Sequence, residues 1–381
     1  MKAGKDLMQL AQEIERQKTA KRDFIADTAA LRFAPPDDWT PPAPQRETVR
    51  RGYARPVMTA PRPAPIWLNI PDQGRFEVGP VAHGQISAHT GIPKKYYDRM
   101  QAYAPALLAA NVNQWFEQSP APRMVRTLDN RARAFLSNRY RILDHEDVLQ
   151  AVLPALSDAG LGAADIISCE VTERKLYLKA LFPKVMGEIK KGDVVQAGIV
   201  ISNSELGLGA VDAQALVYRL ACSNGAITLD HNLKKYHVGR EIGGGGSDDA
   251  YEYYKDDTRQ AIDSAFMRKL RDTVSAAAQQ ATFTKILERW KEATGRTVAD
   301  PIGAVQEIQK RYTLTDDNRK GILNHLISGG DLSQYGIVNA VTRYSQDVDD
   351  YDAATDLEKL GGTLIDLAPS EWKTIAEAEA A

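Results

Sequence analysis

The stretch GDVVQAGIVISNSELGLGAVDAQALVYRLAC, residues 192–222, decides the fold class. Val194–Ser202 is the longest run of β-forming residues in the chain, and the turn pair Gly192-Asp193 introduces it. The chain then turns through Glu205–Gly209 and returns as Ala213–Cys222, with Asn224-Gly225 a further hairpin signal. Upstream, Ile166–Val171 and Leu176–Phe182 alternate as a second hairpin. Arg123–Leu128 and Arg131–Leu136 flank the tight turn Asp129-Asn130, and a short strand is expected at Phe76–Val78. Helices are inserted between these pairs: Val81–Met100 reads helix, turn at Gly91, helix; Pro105–Glu117 follows; Asp144 caps a helix through Leu156. The class is α+β, an antiparallel sheet of five to seven strands in hairpins with inserted helices, followed by a long helix and a helical C-terminal part.

The expected division has four parts. Residues 1–34 carry an amphipathic helix over Lys5–Asp27, with Leu7, Leu10, Ile14 and Phe24 at helical spacing. Residues 35–65 are a proline-rich linker, since proline fixes its own backbone and restricts its predecessor. Residues 66–245 form the α+β core, ending in the four-glycine loop Gly243–Gly246. Residues 246–381 are helical, in pieces set off by Gly295, Gly321, Gly329-Gly330 and Gly361-Gly362, and end in an acidic tail.

Composition bounds the setting. The chain has 381 residues, a formal charge of -2 and 43% hydrophobic residues, enough to bury a core in more than one unit. Two cysteines cannot build a disulfide scaffold and suit a reducing compartment. No apolar run approaches the ~18 residues of a membrane span, and the first residues lack a signal-peptide core. The expected location is the cytoplasm.

Enzyme motifs are absent: no GxxxxGK[ST], HExxH, CxxC pair or GxSxG, and the six histidines do not cluster with cysteines at zinc spacing. No cofactor or metal is expected. The positive signal is cationic. Between Arg123 and Arg141 lie six arginines (Arg123, Arg126, Arg131, Arg133, Arg139, Arg141) against the single acid Asp129. Period-two alternation puts Arg131, Arg133 and Phe135 on one strand face, beside Tyr140. Guanidinium groups follow phosphates and rings stack on bases, which is what a single-strand groove requires. Lys234, Lys235 and Tyr236 form a second basic-aromatic patch. From Ser345 onward, ten acids face two lysines, a tail suited to screening such a surface or to solubility. The segment Pro93–Arg99 carries bases and aromatics on the second helix of the helix-turn-helix, although two helices around a glycine turn are also an ordinary packing unit.

Several blocks together resemble a known family. GQISAHTGIPKKYYDRM (84–100), RAFLSNRYRILDHEDVL (133–149), GDVVQAGIVISNSELGLGA (192–210), YRLACSNGAI (218–227) and GIVNAVTRYSQDVDDYDAATDLEKLGG (336–362) are similar to a phage- and plasmid-associated family of unknown function, domain of unknown function nine hundred thirty-two. The resemblance implies phage or plasmid DNA metabolism as the setting and brings no activity with it. Hairpins followed by a long helix are also the build of single-strand annealing proteins, a fold analogy without shared residues. The leading expectation is therefore an ATP-independent protein that binds and anneals single-stranded DNA (or RNA) as a homo-oligomer, with no membrane partner. Two alternatives remain open. One is a nucleic-acid- or nucleotide-processing enzyme whose site gathers Asp193, Asn203, Glu205, Asp212 and His231. The other is an inhibitor or scaffold that holds a host protein through the acidic tail.

Overall fold

The computed structural model describes residues 1–36, 63–140, 142–209, 211–228 and 256–380. The chain forms two compact units: Glu15–Ile142, and Met1–Ile14 together with Leu143–Ala381. This differs from the expected four-part division. The chain leaves the larger unit after Ile14, builds the smaller one, and returns at Leu143. Most of the proline-rich segment and the whole glycine loop lie outside the described residues.

The first helix, α1 (Leu7–Ala20), is shorter than its apolar spacing suggests. Residues Arg22–Asp27 are instead a strand, β1, and Phe24 pairs with Val125 rather than extending the helix. A helical match over one further apolar residue is weak, and the ladder offered by a long neighbouring strand overrides it. In the smaller unit β1 joins β2 (Arg32–Ala34), β3 (Trp67–Ile70), β4 (Gly74–Val78), β5 (Pro122–Leu128) and β6 (Arg131–Ser137) in the order β1-β5-β6-β4-β3-β2. All neighbours are antiparallel except β4 and β6, which run parallel. The β5–β6 turn has Asp129 and Asn130 at φ 49° and 62°, the positive pair that a two-residue hairpin needs. Three helices, α2 (Pro80–Thr90), α3 (Lys94–Tyr103) and α4 (Pro105–Gln118), complete the unit. Gly91 closes α2 at φ 67°, a conformation that side chains resist. Their inner residues Ile86, Tyr97, Leu108, Val112 and Phe116 share one core with Phe33, Leu68, Phe76, Val125 and Phe135.

The larger unit holds a second sheet, a meander of β7 (Ile166–Val171), β8 (Leu176–Glu188), β9 (Val194–Asn203), β10 (Asp212–Arg219) and β11 (Asn224–Thr228). The hairpins expected along it are all antiparallel. One boundary moves: Asn224-Gly225 opens β11 and pairs with Arg219 and Tyr218, while the turn precedes it and ends at Ser223, φ 53°. The helices are α5 (His145–Asp158), α6 (Asp256–Ala277), α7 (Gln280–Ala293), α8 (Pro301–Tyr312), α9 (Asp316–Gly329), α10 (Gln334–Tyr344), α11 (Tyr351–Ile365) and α12 (Pro369–Ala376). The long helix expected before Ala293 is thus broken once, at Ala278-Gln279.

Two glycine sites expected as breaks sit inside helices. A Cβ on Gly362 would fall 2.0 Å from the Ile227 carbonyl oxygen, and one on Gly321 would fall 2.1 Å from the Tyr344 ring. These glycines permit close packing of α11 on β11 and of α9 on α10. The expected acidic tail is also folded structure. Asp352 and Glu358 are buried on α11, Asp350 caps it, Glu371 pairs with Arg311, and Asp366 pairs with Arg289 at 3.1 Å. Acids so engaged inside one unit are structural, while Asp349, Asp356 and Glu379 stay exposed.

Candidate nucleic-acid interface

The arginine hairpin is less open than its alternation suggests. Arg126 is 1% exposed, and its Nε and Nη2 donate to both carboxylate oxygens of Asp23 at 3.0 Å, a bidentate pair between β5 and β1. A β-bulge follows. Arg126 faces Ala134 while Thr127 faces Ala132, so Arg133 is the extra residue and is itself buried. The bulge reverses the side-chain parity, which puts Ala132 and Phe135 in one core although they are three residues apart. Phe135 is 1% exposed and lies parallel to Phe116, with centroids 5.6 Å apart. It therefore cannot stack on a base. The Arg123 guanidinium lies 5.2 Å from the Phe135 ring, and burial lowers its pKa. His89 approaches the same ring, and burial followed by the Arg123 charge lowers its pKa.

What stays reachable on this hairpin is limited. Arg131 is half-exposed and lies 3.9 Å from Glu77. Arg139 is exposed and Tyr140 partly so, beyond the strand end. Arg141, Lys234, Lys235 and Tyr236 lie outside the described residues. The continuous cationic strand face drawn from period two is not what the hairpin presents.

A different surface of the same unit carries bases and rings together. On α3, Lys95, Arg99 and Tyr103 follow at four-residue spacing, and Tyr96 stands in the adjoining row. All four are exposed, whereas Tyr97 and Met100 on the same helix are buried. Asp98, the one acid of α3, is taken by Lys94. Neither Lys95 nor Arg99 makes an ion pair among the described residues. On α4, Leu107, Asn111 and Trp115 form the corresponding row, and Asn111 reaches Met100 of α3 at 3.8 Å, so the row borders α3. Tyr96, Tyr103 and Trp115 are 50%, 42% and 45% exposed, and Leu107 is 48%. The four-residue spacing of Lys95 and Arg99 is legible in the sequence, whereas Tyr103 and Trp115 give no sign of standing outside the core.

Beneath this surface His83 is buried. Gln101 Nε2 donates to its Nε2 at 3.1 Å, so the ring proton is on Nδ1 and points to the Tyr97 hydroxyl at 2.8 Å. Burial, with the Lys94 charge second, pulls the His83 pKa down to about 3, and burial raises that of Tyr97.

Of the residues expected to assemble a catalytic site, Asp193 stands apart from Asn203, Glu205 and Asp212, and Asp212 pairs with Ser202 at the far end of β9. Asp193 stands before β9, where it accepts from Arg219 Nε at 2.6 Å and from the Tyr335 hydroxyl at 2.7 Å. Asn203 and Glu205 lie at the other end of that strand, about 30 Å away for ten residues. There Asn203 donates to His145 Nδ1 at 3.0 Å, and Glu205 accepts from the His145 backbone at 2.9 Å. His231 lies outside the described residues. Lys179 and Glu358 form a fully buried pair at 2.6 Å, capped by the Tyr351 ring 4.7 Å from the ammonium. Desolvation lowers the Lys179 pKa. Among the described residues no group of three or more His, Cys, Asp or Glu side chains is placed to hold a metal ion. Among the described residues no helix is long and apolar enough to cross a membrane.

A family model described as Domain of unknown function (DUF932) matches residues 134–364. The match starts within β6 and covers most of the larger unit, so the 84–100 block falls outside it. Comparison with curated proteins and with solved structures yields no match.

Proposed function

The chain belongs to the DUF932 family, and as that membership carries no activity we propose, from the geometry, that the protein binds nucleic acid without a nucleotide cofactor. The use we propose for this binding is strand annealing in phage or plasmid recombination, by a homo-oligomer. One observation carries the reading: an exposed surface on α3 and α4 combines two uncompensated cations, Lys95 and Arg99, with three solvent-facing rings. Such a surface supplies both attraction for phosphates and contact area for bases. Among the described residues the hairpin contributes at most through Arg123, Arg131, Arg139 and Tyr140, since Arg126, Arg133 and Phe135 are buried.

The test is an anisotropy titration of a labelled oligonucleotide at 50 mM and 200 mM salt, without and with ATP. Binding should weaken with salt, because each phosphate contact releases counterions, and should ignore ATP. Replacing Lys95 and Arg99 together by alanine should weaken binding and flatten the salt slope by about 1.4, near 0.7 per contact on a single strand. An unchanged slope would remove this surface from the interface. Mass measurement with and without a long oligonucleotide tests assembly in the same samples.

A further inference from the structure

We infer, resting on the nucleic-acid reading above, that the α3–α4 surface selects strands with unpaired bases, which stack on Tyr96, Tyr103 and Trp115 while Lys95 and Arg99 hold phosphates. Large rings are ordinarily withdrawn from water, since their area dominates core energetics. Here three are held out at 42–50% exposure on helices whose inner faces are anchored by Tyr97, Met100, Leu108, Val112 and Phe116. The helix backbones are fixed by that packing, so the rings are presented in advance and little order is lost when a base arrives.

The spacing favours a single strand. Tyr96 and Tyr103 are seven residues apart on α3, a rise of about 10 Å. That is roughly three times the ~3.4 Å step between stacked bases. Neighbouring bases in a regular stack cannot occupy both rings, whereas a spread strand can lay separate bases on each. A duplex has its π-faces already covered by its own stack and offers this surface phosphates alone. Lys95 and Arg99 then still act, but the rings find no partner. Leu107, 48% exposed in the same α4 row as Trp115, adds apolar area suited to a base or sugar and not to a phosphate.

The experiment uses the full chain and three probes: a labelled 30-mer, the same 30-mer paired with its complement, and heparin as a polyanion without bases. The expected result is tighter binding of the single strand than of the duplex. Tyr96→Ala, Tyr103→Ala and Trp115→Ala should each weaken single-strand binding about fivefold or more (~1 kcal/mol). They should leave duplex and heparin binding unchanged, and Tyr96→Phe, Tyr103→Phe and Trp115→Phe should restore the loss. Lys95→Ala and Arg99→Ala should weaken all three probes. The rings are exposed, so melting temperatures should hold. If a variant fails to fold, base quenching of Trp115, read as wild type minus Trp115→Phe, supplies the same answer. Equal or tighter duplex binding, or ring variants that bind the single strand as wild type does, overturns this inference while leaving the nucleic-acid reading standing. Failure of the wild type to bind any of the three probes overturns both.

Discussion

Replacing Asp23 by alanine should destabilise the smaller unit by about 3 kcal/mol. The Arg126 guanidinium is 1% exposed and depends on both oxygens of Asp23. Removing the carboxylate of a buried pair leaves a desolvated guanidinium, at a cost of roughly 3–5 kcal/mol. The lower end applies because the Asp23 side chain is 28% exposed, so water can enter where the carboxylate was. The pair should respond asymmetrically. Arg126→Met leaves a carboxylate that can turn to solvent, and should cost less than Asp23→Ala. The double replacement Asp23→Leu with Arg126→Met should recover much of the loss, since apolar side chains of similar volume often replace a buried pair without penalty. Urea unfolding gives the free energies, and amide exchange in β1 and β5 reports on this unit alone. The folded Arg126→Met protein should bind oligonucleotide as wild type does. A loss below about 1 kcal/mol in Asp23→Ala, or a binding defect in Arg126→Met at unchanged stability, would refute a structural role for this arginine.

Three further outcomes are expected. Gly362→Ala should lower the stability of the larger unit by about 1–3 kcal/mol or more in a urea titration, because the carbonyl oxygen of Ile227 cannot yield to a Cβ placed 2.0 Å away. Removing residues 371–381 should destabilise the same unit by about 3–5 kcal/mol, since it strips the buried Trp372 and Ile375 from α12; thermal melts would show this, against an acidic tail whose loss leaves the fold intact. Acid should weaken the smaller unit through His83, whose pKa is about 3 when folded against an ordinary 6.5. The unfolded chain binds the extra proton between those values, so stability falls as pH drops from 6.5, by about 2 kcal/mol at pH 5. Comparing wild type with His83→Gln across that range isolates the contribution, which should vanish in the variant.

Local signals carried far along this chain. The meander from β7 to β10 follows from alternation, β-forming runs and turn pairs, Asp129-Asn130 marks its hairpin through residues that tolerate positive φ, and Gly91 with Pro93 separates α2 from α3. The failures share a non-local cause. Phe24 fits a helical pattern, and only β5, about a hundred positions on, makes it a strand residue. Arg126 looks like a free cation until Asp23 is brought beside it across 103 residues. The bulge at Arg133 shifts parity by one, and period two then assigns Phe135 to the wrong side. Gly361-Gly362 resembles a helix break because the strand it accommodates lies far off in sequence. For the interface, four-residue spacing made Lys95 and Arg99 legible, while the exposure of Trp115 depended on which helix face the sheet covers.

The excursion of the chain between Ile14 and Leu143 has a kinetic corollary. Leu10 and Ile14 belong to the core of the larger unit, yet the 128 residues Glu15–Ile142 intervene before the chain returns at Leu143. Closing so long a loop before anything within it is ordered costs about 4 kcal/mol of chain entropy. Once β1 zips onto β5, the Arg22–Thr127 pairing cuts the open span to about two dozen residues and returns roughly a third of that sum. The contiguous unit is therefore expected to fold first and act as a clasp for the discontinuous one. A slow phase in refolding should belong to the meander, and it should lengthen when the β1–β5 pairing is weakened.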